Sequence, residues 1–259
     1  MHPPSKHACV TVIPVYKPKP NRTELLALLQ LHFLGLKELT LVCPEGLDLS
    51  AYFDVLPELK VQRFSAEYFL SVQAYNDLVI SLPFYQAFAD QYEYLLIHQL
   101  DAFLLINQIE HFCSLGYDYF GAPWKDGFPQ YRFLLNRWPI QINCKRFYVG
   151  NGGLSLRKIA STIKLLTRKE HHISKTWFME DAFFGYWGSI DPLFRACSPE
   201  IAATFSLETE PANWVEKTGQ LPMGFHGFTV WDPDFYRPLL EASYAKLLSA
   251  YPEKLAGLE

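Results

Sequence analysis

A chain of 259 residues with 49% hydrophobic and 19% charged residues can bury a sizeable core, which excludes the disordered class and suits one large domain or two small ones. A net charge of −4, from 23 basic and 27 acidic residues with no long basic run, excludes nucleic acid as the expected partner. No stretch reaches the run of about 18 apolar residues that a membrane span needs, and MHPPSKHACV lacks the apolar centre of a signal peptide.

Five cysteines, odd in number and never in a CxxC pair, argue against a disulfide framework and a zinc knuckle and fit a reducing compartment. The expected location is the cytoplasm, with peripheral contact at the inner membrane surface left open. Aromatic residues reach 16%, which supplies core material and also suits carbohydrate clefts.

Ala8 to Pro14, ACVTVIP, is β-branched and apolar and predicts a buried first strand. Pro14, Tyr16 and Lys17 fall at its far end, where a nucleotide base can stack. Lys17, Lys19 and Arg22, spaced by prolines, make a solvated loop or a phosphate contact. Asn21 or Thr23 can cap a helix through Leu34, with Leu25, Leu28, Leu29 and Leu31 inward and Gly35 as its stop. Leu39 to Val42 predicts a second strand closed by Pro44-Glu45-Gly46. A short helix near Tyr52 to Leu56 and a third strand, Lys60 to Phe64, follow. This β-α-β-α-β order predicts a mainly parallel sheet with right-handed crossovers.

Phe69 to Tyr92 reads as mixed helix broken by Pro83. Within it Asn76 and Asp77 cap a helix, or Asn76 reaches a ligand. Tyr94 to Leu105, YLLIHQLDAFLL, organises the rest. Tyr94 to Ile97 predicts a buried strand, His98, Gln99 and Asp101 form a polar break, and Phe103 to Leu105 is a second apolar run. An acid that ends a buried strand sits at the carboxyl edge of the sheet, where open α/β sheets bind ligands. It can hold a divalent cation and through it a diphosphate, or it can cap a turn. Ile109 to Leu115 predicts a helix and Tyr117 to Gly121 a strand. Lys125 to Lys145 lacks a period and predicts an excursion over the cleft.

Val149 to Lys158, VGNGGLSLRK, has Gly150, Gly152 and Gly153, which allow close backbone approach to a ligand or make a tight turn. It is neither a P-loop nor a dinucleotide fingerprint. Leu154 to Leu156 predicts a strand, with Arg157 opening a helix. WFMEDAFFGYW sets Glu180 and Asp181 inside an aromatic helix, where charges need a partner or a task. Ile201 to Phe205 predicts a short strand before Glu208. PMGFHG places His226 between aromatic and glycine residues, a setting that is structural or functional. A closing helix spans about Pro238 to Ala250.

The order of these motifs resembles a GT-A glycosyltransferase. YEYLLIHQLDAFLL, YDYFGAPW, VGNGGLSLRK, MEDAFF and PMGFHG are more specifically similar to the DUF5672 family, over roughly Asn76 to Gly227. The resemblance implies an α/β, single-domain GT-A (Rossmann-like) fold over 1–259, with a mixed, mainly parallel central sheet flanked by helices. About 8–105 would form the nucleotide-binding half and about 106–259 the acceptor and catalytic half. It places Gln99 and Asp101 at the aspartate motif that holds metal or donor, Gly152 and Gly153 at the donor or acceptor, Asp181 as catalytic base beside Glu180, and His226 with Asp101 as metal ligands. Pro14, Tyr16, Lys17 and Asn76 complete the donor set.

Gln99 stands where the family motif usually has Asp, which removes one charge from the cation site. The implied cofactor is a divalent cation, Mn²⁺ or Mg²⁺. The implied activity is transfer of a sugar from a nucleotide-sugar donor, UDP-linked, to a glycan, lipid-linked or protein acceptor, with inversion, in bacterial surface glycan synthesis. Two alternatives stand beside it. A sugar nucleotidyltransferase would want a glycine-rich loop after the first strand, and VIPVYKPKP has none. A non-catalytic carbohydrate- or nucleotide-binding module would have no use for Asp101, Glu180, Asp181 and His226 together.

Overall fold

The β-branched opening forms β1 (His7–Pro14) in the computed structural model, which describes residues 7–129, 133–134, 138–139, 146–176 and 179–256. Asn21 wins the cap of α1 (Arg22–Phe33): its side chain accepts from Glu24 N at 2.9 Å, and the Glu24 carboxylate accepts from Asn21 N at 2.8 Å. This reciprocal pair satisfies two amide donors that the first helical turn leaves open. Leu25, Leu28, Leu29 and Leu31 are all buried, each stabilising the fold by about 1.5–3 kcal/mol. Gly35, at φ +76°, stops the helix as expected. Next come β2 (Leu39–Pro44), α2 (Ser50–Phe53) and β3 (Lys60–Phe64).

A 3-10 turn leads into α3 (Val72–Val79) and α4 (Leu82–Gln86). The cap of α3 is Ser71, whose hydroxyl accepts from Ala74 N, and Asn76 and Asp77 are interior to the helix. Pro83 sits in the first turn of α4 and opens that helix, because its missing N–H is one the turn would leave unpaired anyway. β4 (Tyr92–His98) then runs into β5 (Ala102–Leu104). His98 is wholly buried as the last strand residue, so the polar break begins one position later than expected.

α5 (Ile109–Ser114) and β6 (Tyr119–Phe120) precede β7 (Ala122–Pro129), two short strands β8 (Phe133–Leu134) and β9 (Trp138–Pro139), and β10 (Arg146–Gly150). The expected excursion therefore begins as a strand: Gly150 pairs with Ala122 and Arg146 with Pro129, antiparallel. Most of its centre lies outside the described residues.

β11 (Leu154–Lys158) extends through Arg157, which belongs to the strand and not to the helix that follows it, α6 (Ile159–Thr176). α7 (Glu180–Ile190) carries the acidic pair; Trp177 and Phe178 lie outside the described residues. The expected strand at Ile201 is a helix, α8 (Pro199–Phe205), because Ser198 caps it and Pro199 opens it. The chain closes with β12 (Ser206–Leu207), α9 (Pro211–Thr218), β13 (Gly224–His226), α10 (Pro233–Ala250) and α11 (Pro252–Leu255). The long helix starts at Pro233 and takes Pro238 into its interior.

The main sheet has the order β3-β2-β1-β4-β11-β6, parallel except for β11. Chain direction across the sheet reverses between β1 and β4, so the crevice outside their carboxyl ends is the switch point where such sheets bind ligands. The pairing Val12 to Ile97 brings Pro14 to the same edge as His98 and Gln99. Leu154 opposite His98 brings Gly153 there too. A second sheet, β12-β13-β5, pairs His226 with Ala102 and so delivers the histidine next to Asp101.

Candidate active site

The turn between β4 and β5 is tied down on both sides. Gln99 N donates to Gly153 O at 2.9 Å, and Gly227 N donates to Asp101 O at 3.1 Å. These bonds hold Gln99 and Asp101 against His226. The Nε2 atom of His226 lies 3.2 Å from Gln99 Oε1 and 3.2 Å from Asp101 Oδ1, while Nδ1 lies 3.1 Å from Glu208 Oε1. Burial pushes the His226 pKa down, but its hydrogen bonds and charge contacts with Asp101 and Glu208 outweigh this and lift it to about 9. Burial likewise pushes Asp101 up, and His226 brings it below the ordinary carboxylate value. The contacts with Asp101 and Glu208 thus favour the protonated form of the imidazole, and Asp101 is 57% exposed to the crevice.

Gly152 and Gly153 are required by packing around this cluster. A Cβ on Gly153 would fall 2.1 Å from His226 Nε2, and one on Gly152 would fall 1.3 Å from Glu180 Oε1. The two glycines are thus the wall between the open cluster and a sealed one. Behind that wall Arg157, fully buried, donates to Glu180 Oε2 at 2.6 Å. It also donates to the Tyr85 hydroxyl at 2.7 Å and lies 4.5 Å from the Phe184 ring centroid. Burial raises the Glu180 pKa against the pull of the guanidinium.

Adjacent residues on a helix diverge by about 100°, so only one of the acidic pair can face inward. Glu180 is buried, whereas Asp181 is part-exposed and its Oδ1 accepts from Ala182 N at 2.7 Å. Burial first, and the Glu180 charge second, push the Asp181 pKa up to about 7. The charge of Glu208 also acts on Asp181, which links Asp181 electrostatically to the histidine cluster.

Tyr16 is exposed beyond the end of β1, and Lys17 pairs with Glu24 at 2.8 Å. Both stand with Pro14 at the carboxyl end of β1. Asn76 is half-buried on α3, an element that packs against α7. Among the described residues no group of three or more His, Cys, Asp and Glu side chains is placed to hold a metal. The set at Asp101 is two such groups and an amide oxygen.

Two contributors escaped sequence reasoning. Glu208 is a lone acid after an expected strand; only the β12–β13 pairing reveals its closeness to His226. Arg157 looked like a helix start, although a buried acid such as Glu180 implied a buried cation somewhere.

Mouse xyloside xylosyltransferase 1, in its apo form, superposes on the chain with a TM-score of 0.50 at 13% identity, covering 85% of this chain and 98% of that one. The galactosyltransferase LgtC, solved with donor and acceptor sugar analogues, gives 0.52 at 10% identity, covering 90% and 95%. At such identities what is shared is the fold, and it is the GT-A glycosyltransferase fold. The chain belongs to the DUF5672 family, described as a protein of unknown function, whose family model matches residues 58–226. No curated protein matches it by sequence.

Proposed function

We propose that the protein is a glycosyltransferase that moves a sugar from a nucleotide-sugar donor to a hydroxyl acceptor. The observation that carries this reading is the meeting of Gln99, Asp101, His226 and Glu208 at the switch point, with a carboxyl of pKa about 7, Asp181, alongside. The nucleotide lies along Pro14, Tyr16 and Lys17, with Asn76 on the facing helix, and its diphosphate reaches Asp101. Asp181 takes the proton of the acceptor hydroxyl, the acceptor oxygen attacks the anomeric carbon, and the bond to the diphosphate breaks with its electron pair on the phosphate oxygen. This single displacement inverts the anomeric centre. A pKa near working pH is what a general base needs.

The leaving diphosphate needs positive charge. The His226 imidazolium is one source. The alternative is a divalent cation, which would have to displace the Nε2 proton: an Asp101 oxygen, the Gln99 amide oxygen and Nε2 of a neutral His226 would hold it, and Glu208 on Nδ1 would orient the ring. Bound there, a cation supplies Lewis-acid neutralisation of the diphosphate. One carboxylate and one imidazole favour Mn²⁺ over Mg²⁺ and make the requirement weak.

A UDP-linked donor, a glycan, lipid-linked or protein acceptor, and a cytoplasmic place in bacterial surface glycan assembly are the finer parts of this proposal. The test is a thermal-shift series with nucleoside diphosphates, with and without Mn²⁺, followed by donor hydrolysis. Binding to the native state raises the melting temperature, so a diphosphate-dependent rise with release of nucleoside diphosphate is expected. Release of pyrophosphate from a nucleoside triphosphate and a sugar phosphate would mark a nucleotidyltransferase. Absence of both the shift and the turnover overturns the reading.

A further inference from the structure

Beside the histidine cluster opens a cavity of about 430 Å³, a volume within the range of small-ligand sites. Its lining includes Trp124, Phe128, Thr209, Glu210, Trp231 and Asp232. Two indoles form it, and each rests on a glycine next to the candidate active site. A Cβ on Gly150 would fall 1.7 Å from the Trp124 ring, and one on Gly227 would fall 2.8 Å from the Trp231 ring. Gly150 begins the loop that carries Gly152 and Gly153, and Gly227 follows His226. The cavity therefore neighbours the histidine cluster on the side of Glu208: the same Gly227 Cβ would fall 3.4 Å from Glu208 Oε1, and Thr209 and Glu210, which follow Glu208 in the chain, line the cavity.

Its rim is unusual in backbone as well as composition. Glu210 and Asp232 both adopt left-handed backbone, at φ 51° and 49°, and each precedes a proline that opens a helix. A residue before proline is kept out of the right-handed helical region, and both acids line the cavity. Trp231 is 48% exposed, an apolar face left open to solvent. Charge there is negative: Asp126, Glu210 and Asp232 outnumber Lys125, which is itself paired with Glu210 at 2.5 Å.

We propose that this cavity is the acceptor subsite and that its occupant is an uncharged saccharide. The proposal rests on the glycosyltransferase reading and specifies its second substrate. The open Trp231 indole suits the C–H face of a pyranose, and the carboxylates accept hydrogen bonds from its hydroxyls. The same carboxylates repel sugars that carry phosphate or carboxylate near the reacting hydroxyl.

The test uses the intact protein, saturated with UDP and Mn²⁺, and reads sugar binding by saturation-transfer NMR and indole fluorescence. The probes are methyl glycosides of glucose, galactose and N-acetylglucosamine, set against glucuronic acid and glucose 1-phosphate. A neutral glycoside is expected to bind, and Trp231→Ala to weaken it by about tenfold or more, the usual size for an aromatic anchor. Trp231→Phe keeps a ring and should recover most of the loss. UDP binding should not change in either variant, which also shows that both are folded.

Binding of the neutral glycosides that Trp231→Ala leaves intact overturns the assignment. So does preference for the anionic sugars, or no sugar binding in a protein that binds UDP. Failure of the parent reading looks different: sugar binding that depends on Trp231 in a protein with no affinity for any nucleotide.

Discussion

Two charged clusters stand back to back across Gly152 and Gly153, and they differ in almost every physical respect. Arg157 and Glu180 are 0% and 6% exposed, held among aromatic rings and hydroxyls. Asp101, His226 and Glu208 carry the same kinds of charge, but Asp101 is 57% exposed at a sheet edge. A sealed ion pair cannot meet a substrate, and its removal is felt as stability. An open one costs little to disturb structurally and is felt as binding. The comparison teaches that one glycine pair, too small to fill the gap, separates architecture from chemistry.

The largest effect is expected at the open cluster. Asp101→Asn should abolish transfer and leave the circular dichroism and melting temperature close to wild type, since the side chain faces the crevice. Full turnover in this variant with any donor would remove the central role given to the carboxyl edge.

The sealed cluster should answer in the opposite way. Arg157→Met leaves Glu180 buried and unpaired, which typically costs about 3–5 kcal/mol. Urea unfolding would read this as a lower midpoint with unchanged slope. Adding Glu180→Gln removes the orphaned charge and should recover much of the loss. If the double variant is no more stable than Arg157→Met, the pair does not work as a unit.

Asp181 feels the charges of Glu180 and Arg157 on one side and of Glu208 on the other, and tests which cluster it serves. Asp181→Asn should lower kcat by about 10²- to 10⁴-fold, the ordinary contribution of a general base, with nucleotide affinity retained. Loss of nucleotide binding instead would make it part of the donor site.

How much of this was legible beforehand depends on whether the deciding contact is local. The order of the first three strands, Asn21 as a candidate cap, Gly35 as stop and Asp101 at a carboxyl edge all follow from residues within a turn or a strand of one another. Ile201 to Phe205 was misread because an apolar run of that length suits a buried strand or helix equally, and the Ser198-Pro199 start signal outweighs it. Arg157 was misread because a charged residue in a central strand is admissible only when a distant acid meets it. Glu208 became visible only when β12 and β13 paired. The Gly152 and Gly153 spacing reads as room for a ligand or as a tight turn; the Cβ geometry ties it first to the side chains of Glu180 and His226.

The smallest effect is a shift in pH dependence, and it measures how strongly the sealed cluster speaks to Asp181. Its pKa stands at about 7, against an ordinary 3.8, because of burial and then the charge of Glu180. If Asp181 is the base, kcat should rise with pH through about 7 and level off above it. The same shift makes the folded state bind the proton more tightly than the unfolded chain. Its contribution to stability is therefore fully present below 3.8 and is lost as pH rises through about 7. Glu180→Gln removes a negative charge next to Asp181 and leaves the Arg157 guanidinium unneutralised nearby. Both changes favour the ionised carboxylate, so the sign is not in question. The midpoint of the kcat rise should move to lower pH, the stability lost across that window should shrink, and the plateau rate should change far less than in Asp181→Asn. A pH–rate profile whose midpoint is unmoved in Glu180→Gln would mean that the charge of Glu180 does not set the Asp181 pKa, and that burial alone does. A plateau that collapses as in Asp181→Asn would assign the chemistry to Glu180 instead.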